Sequence, residues 1–216
     1  MAPRVAVVLI VCAGCSFRLP GTGAAPVDAT APADTVDAQD REASAFDPAA
    51  DCPATYTVAL PSTMATSRYR VIDTAALAWD GFAACDADGA TIVHAMSIGS
   101  MTELTELVTA VATAVQTRFY IGGVQDPTAT TPGALWINFD GTALLDTAWY
   151  TPEAEPNDLD DGDETDHEQQ LLIIDKTLQY LHDAVGNTVY GTICECDGTG
   201  TSATARAFVD ADPNHP

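Results

Sequence analysis

The sequence predicts an α+β domain. Two helical patterns are followed by short strand-like runs, long Pro- and Gly-bearing loops separate those runs, and an even set of cysteines suits an exported, disulfide-stapled fold. The length of 216 residues fits one domain plus extended segments, at roughly 150 residues per domain. No internal repeat is present.

The elements are expected in the following order. Tyr69-Arg70-Val71-Ile72 alternates as a short strand. Thr74 to Cys85 carries Ala75, Trp79, Phe82 and Ala83 at helical spacing and closes with the stop signal Asp88-Gly89. Ser100-Met101-Thr102-Glu103 is a capping box. It opens a second helix whose apolar face is Leu104, Leu107, Val108, Val111 and Val115. Phe119 to Val124, Ala134 to Ile137, Leu171 to Ile174 and Val189 to Cys194 read as strands.

The first fifty residues are expected to lie outside this domain. Met1 to Arg4 carries one positive charge, and Val5 to Val11 is a compact apolar run. Cys12-Ala13-Gly14-Cys15 follows at once, in the order of a secretory signal. Ala13-Gly14-Cys15 resembles a bacterial lipobox, which implies a signal peptide over residues 1–14 and lipidation of Cys15 at the mature N-terminus. Cys12 stands where that pattern usually has Leu, and simple cleavage near Gly23 to Ala25 is the rival reading. From Pro20 to Asp51 the chain is mostly Ala, Asp, Pro and Thr, which cannot bury enough surface to offset ordering entropy. Residues 15–51 are therefore expected to be a disordered tether, 52–198 the domain, and 199–216 a flexible tail. An outer-membrane or cell-surface lipoprotein follows, held to the membrane through its lipid alone.

Charge narrows the partners. Lys+Arg 8 against Asp+Glu 31 gives a formal net charge of -23, so nucleic acid and anionic lipid surfaces are repelled. The apolar run Val5 to Gly14 is too short to span a bilayer, which takes about 20 residues.

Setting aside Cys12 and Cys15 leaves Cys52, Cys85, Cys194 and Cys196. Two disulfides are the natural count in an oxidising compartment. Cys194 and Cys196 lie two apart on one expected strand and are poorly placed to bond to each other, so two connectivities remain. A zinc site on Cys194-Glu195-Cys196 would need two further ligands that the histidines do not supply at metal spacing.

The order of landmarks resembles a C-type lectin-like domain over about Cys52 to Glu195. The landmarks are Trp79 to Cys85 with Gly89-Ala90, then Tyr120-Ile121-Gly122, Trp136 with Asp140-Gly141-Thr142, and Trp149. Glu155-Pro156-Asn157 and the closing Ile193-Cys194-Glu195 complete the series. The resemblance implies two helices with short antiparallel sheets and long loops. It also implies a bond from the first helix to the last strand, Cys85 to Cys194, which leaves Cys52 with Cys196. The family's second disulfide near the binding loops has no cysteines here, with Gln170 and the Val185 region in their places.

The resemblance also points to a site. Residues 153–168 hold Glu153, Glu155, Asp158, Asp160, Asp161, Asp163, Glu164, Asp166 and Glu168 with no Lys or Arg among them. Such oxygen-rich sets suit Ca²⁺, which takes six to eight oxygens at flexible geometry. In calcium-dependent members a Glu-Pro-Asn segment presents both side-chain oxygens to one cation, and those ligands also hold sugar hydroxyls. By that resemblance Glu155, Asn157, Glu168 and Asp183 ligate Ca²⁺, with Asp163 or Glu164 supplying a further oxygen. Glu155, Asn157 and Glu168 would contact the sugar, of the mannose type with equatorial 3- and 4-hydroxyls. His182 stands where the family has an Asn oxygen, and imidazole is a poor ligand for a hard cation. Asp158 to Asp163 falls out of register for an EF-hand, with Gly162 one position early.

Catalysis is not expected. No G-x-S-x-G elbow, phosphate loop with Lys or H-E-x-x-H is present, and His94, His167, His182 and His215 are scattered. The expected function is a calcium-dependent, glycan-binding surface lectin module. The alternative is a calcium-independent lectin-like scaffold that binds a surface protein.

Overall fold

The computed structural model describes residues 45–156, 171–212 and 215, all within one unit, Ala43–Pro216. The expected signal peptide, Cys15 and most of the tether lie outside the described residues.

The sheet is built from strands that are apolar on both faces. Its path runs β1 (Arg68–Ala76), β7 (Tyr190–Cys196), β3 (Arg118–Gln125), β5 (Leu171–Asp175) and β6 (Tyr180–Ala184), with β2 (Val93–Ala95) on β7 and β4 (Trp136–Asn138) on β3. Along β3, Phe119 and Ile121 enter one core while Tyr120 and Val124 enter the other. Leu172 and Ile174 alternate in the same way with Leu171 and Ile173 on β5, as the two-residue period of a strand requires. The helix α3 (Met101–Ala110) covers the first face with Leu104, Leu107 and Val108. The helix α2 (Ala78–Asp86) covers the second with Trp79 and Phe82.

Most pairings are antiparallel, as expected, but β3 and β7 run parallel through Phe119 with Gly191 and Tyr120 with Thr192. The sheet is therefore mixed. Gly122 allows a close approach at its centre, because a Cβ there would strike the Ala95 carbonyl.

The expected helix boundaries shift for local reasons. The first helix begins at Ala78 rather than Thr74, because Thr74 to Ala76 continue β1 and Ala76 pairs with Tyr190. Asp73 pins this stretch by accepting the Val115 and Gln116 backbone N–H groups at 2.6 and 2.8 Å. The second helix is capped as expected, with Ser100 Oγ accepting the Glu103 N–H at 3.1 Å. It ends at Ala110, which leaves Val115 83% exposed rather than on the apolar face.

Two expected domain limits are corrected. Residues 199–216 are not merely a flexible tail: α4 (Ala203–Ala211) is capped by Ser202 and seats Ala205, Phe208 and Val209 on the α2 face. Nor is the tether free up to Asp51. The short helix α1 (Pro48–Asp51) buries Pro48, and Phe46 packs against the same core, beside Gly198.

Both disulfides have the expected partners. Cys85 and Cys194 join α2 to β7 at a Cα separation of 5.4 Å, and Cys52 and Cys196 join the entering chain to the same strand at 5.9 Å. In the chain-entropy account, closures of this span contribute about 4 to 5 kcal/mol each before strain and overlap.

Candidate functional site

The loops between β3 and β5 start from a rigid base. Gln125 Nε2 donates to the carbonyls of Thr131, Pro132 and Ala134 at 2.9, 2.9 and 3.0 Å, closing the turn ahead of β4. Trp136 Nε1 donates to Pro132 O, and its ring meets Trp149 edge-on at 5.1 Å. Trp149 bridges to Leu181, and the Tyr150 N–H donates to Leu181 O, so the loop is laced to β6 just before Glu155.

Glu155 is delivered onto β6 by this lacing. Its own N–H donates to Tyr150 O at 3.2 Å, Ala154 before it is left-handed at φ 60°, and the Glu155-Pro156 peptide is cis. His182 Nδ1 donates to Glu155 Oε1 at 3.1 Å, and the two side chains are 6% and 7% exposed. Tyr150 covers the imidazole at 5.1 Å and neighbours Tyr180 at 5.5 Å. Burial alone raises the Glu155 carboxyl, but hydrogen bonding with His182 and with Asp183 outweighs it and holds the group below its ordinary range.

Of the expected ligands, the structure brings Glu155 and Asp183 together. Asn157, Asp163, Glu164 and Glu168 lie outside the described residues. Among the described residues no group of three or more His, Cys, Asp or Glu side chains is arranged around a common centre. Two observations bear on whether a cation fits. Glu155 Oε2 is buried, and the only partners near the carboxylate among the described residues are His182 and Asp183. His182 occupies Oε1 with a nitrogen that a hard cation does not favour.

The Glu155–His182 pair was not foreseen from the sequence, which marked His182 only as a missing oxygen. Its signal lay in Tyr180 and His182, two apart on one strand and so directed to one face.

Solved structures of similar fold are known. The C-type lectin CEL-I from Cucumaria echinata aligns with a TM-score of 0.52 at 14% identity, over 67% of this chain and 96% of its own. The mouse scavenger receptor C-type lectin carbohydrate-recognition domain aligns at 0.52 and 16%, over 68% and 98%. The fold is C-type lectin-like. A calcium-independent type II antifreeze protein also aligns with this lectin-like domain, at 0.50 and 21%, over 68% of this chain and 94% of its own. No family profile and no curated protein matches the sequence. The lectin-like assignment therefore rests on the fold, the two disulfides and the landmark residues that the sequence carries.

Proposed function

We propose that the lectin-like domain is a non-enzymatic, calcium-dependent carbohydrate-binding module of the mannose type, displayed outside the cell by a lipid on Cys15. The observation that carries this reading is the meeting of the buried Glu155 carboxylate with Asp183 of β6. Asn157, Glu168 and one of Asp163 or Glu164 would complete the shell. A bound Ca²⁺ supplies a centre on which two adjacent sugar hydroxyls replace water. Glu155, Asn157 and Glu168 then orient those hydroxyls by accepting or donating hydrogen bonds.

Calorimetric Ca²⁺ titration of the folded chain, followed by a glycan array with and without chelator, tests the reading. The expected dissociation constant lies in the range of about 10⁻⁴ to 10⁻³ M found for extracellular Ca²⁺ modules. Saturating metal should stabilise the fold by about 2.7 kcal/mol at a hundredfold excess over that constant. Asp183→Ala should weaken metal and sugar together, whereas Asn157→Asp should change sugar choice more than metal affinity. If millimolar Ca²⁺ leaves the melting curve of both the parent and Asp183→Ala unmoved, the reading fails. The second reading is then preferred, a calcium-independent scaffold that recognises a surface protein. It is favoured by the His182–Glu155 pair, which fills one carboxylate oxygen without metal.

A further inference from the structure

The face of the sheet covered by α2 carries a hollow between α2 and α4, and neither Glu155 nor His182 is among its lining residues. Its volume is about 150 Å³, the size of a cavity that accepts a single benzene-sized ring. Trp79, Phe82 and Phe139 form its wall, with Phe82 and Phe139 meeting edge-on at 4.8 Å and Trp79 and Phe82 at 6.5 Å. The rim is charged. Arg206 pairs with Asp86 at 2.9 Å and Thr201 Oγ1 donates to Asp86 at 3.4 Å, so this carboxylate is matched. Asp210, on the next turn of α4, lines the hollow without an ion-pair partner among the described residues. The His215 imidazole completes the wall, meeting Trp79 edge-on at 4.7 Å.

We propose that this hollow binds a small monocyclic aromatic amine, its ring against Trp79, Phe82 and Phe139 and its ammonium at Asp210. The volume admits one ring. The aromatic faces carry negative quadrupoles that favour ring edges and cations. Asp210 supplies a charge left over by the Asp86–Arg206 pair, and a chain of net charge -23 disfavours anions throughout. The site is independent of calcium and of the loop reading above.

The test follows the Trp79 indole N–H by heteronuclear NMR, assigned with Trp79→Phe, while benzylamine, benzyl alcohol or benzoate is added to the full chain. Benzylamine should shift this signal saturably, with a dissociation constant on the order of 1 mM for so few atoms. Benzyl alcohol should bind more weakly, and benzoate should leave the signal unmoved. Asp210→Asn should weaken benzylamine by roughly 3- to 5-fold, the scale of one exposed ion pair, and leave benzyl alcohol unchanged. Val209→Phe, filling the hollow from α4, should abolish the shift. Ala83→Leu fills it from α2 and serves if the first variant does not fold. A shift that never saturates, that persists in the folded filled variant, or that benzoate produces equally would overturn the proposal.

Discussion

Glu195 is the residue on which the buried polar chemistry of the α3 face turns. On β7 it stands between Tyr69 of β1 and His94 of β2 and accepts the Ser97 N–H at 3.1 Å. Tyr69 in turn donates to Glu103 at 2.8 Å. Burial lifts the Glu195 carboxyl to about 7, against the pull of His94. His94 is pushed down by burial, but hydrogen bonding with Asp197 and the charges of Glu195 and Asp197 prevail and bring it to about 9. Both folded values lie above the ordinary 4.5 and 6.5. Their stability is therefore present in acid and is lost as pH rises, through 4.5 to 7 for Glu195 and 6.5 to 9 for His94. Melting temperature followed by circular dichroism should be higher near pH 5 than near pH 9.5, and Glu195→Gln should flatten the lower part of that fall. A second expectation concerns Leu135, which is 56% exposed in a left-handed conformation at φ 60°. Leu135→Gly should stabilise the chain by about 1 kcal/mol, because the left-handed penalty of a branched side chain outweighs the little packing it gives. Urea denaturation reads this directly.

Among the elements, α4 is where the sequence was least legible. Ala203 to Ala211 has a weakly apolar composition, and its anchoring residues acquire meaning only from Phe82 and Phe139 across the chain. Deleting residues 199–216 exposes that aromatic wall and should cost about 2 to 4 kcal/mol, comparable to emptying a large core site. The resulting fall in melting temperature should be of several degrees. An unchanged melt would mean that α4 is held only loosely. At the other end, removing residues 45–51 should destabilise the domain, since Phe46 and Pro48 pack against its core. The capped helix α3 was legible because Ser100 and Glu103 act locally. The strands β2 and β6 were not, since Val93-His94-Ala95 and Tyr180 to Ala184 owe their strand state to β7 and β5 beside them. Glu155 and Asp183 were named from the Glu-Pro-Asn segment and the family resemblance that places a ligand beside His182. The His182 contact needed the register of β6 to be seen.

For the whole molecule, burial on both faces makes the sheet depend on close packing rather than on alternating polarity. Gly186 sits where a Cβ would overlap the Trp79 indole, so Gly186→Ala should displace the ring that anchors α2. A loss of about 2 kcal/mol is the scale of such overpacking, and loss of the near-ultraviolet signal of Trp79 would accompany it. Two bonds converge on β7 from α2 and from the entering chain. Peptide mapping without reduction should recover Cys52 linked to Cys196 and Cys85 linked to Cys194, and the recovery of Cys52 with Cys85 would contradict the structure.

The union of Cys52 with Cys196 also sets how the chain carries mechanical load. A pull applied between its two ends passes through that sulfur bridge and never reaches the hydrogen bonds of β1 with β7, because the bridge closes a sequence separation of 144. In single-molecule extension the oxidised chain should lengthen only outside the bridge. Reduction of both bonds should release a further contour of about 500 Å, at roughly 3.5 Å per residue. The domain thus behaves under tension as a knot in a cord, passing force from one side of the bridge to the other without unravelling.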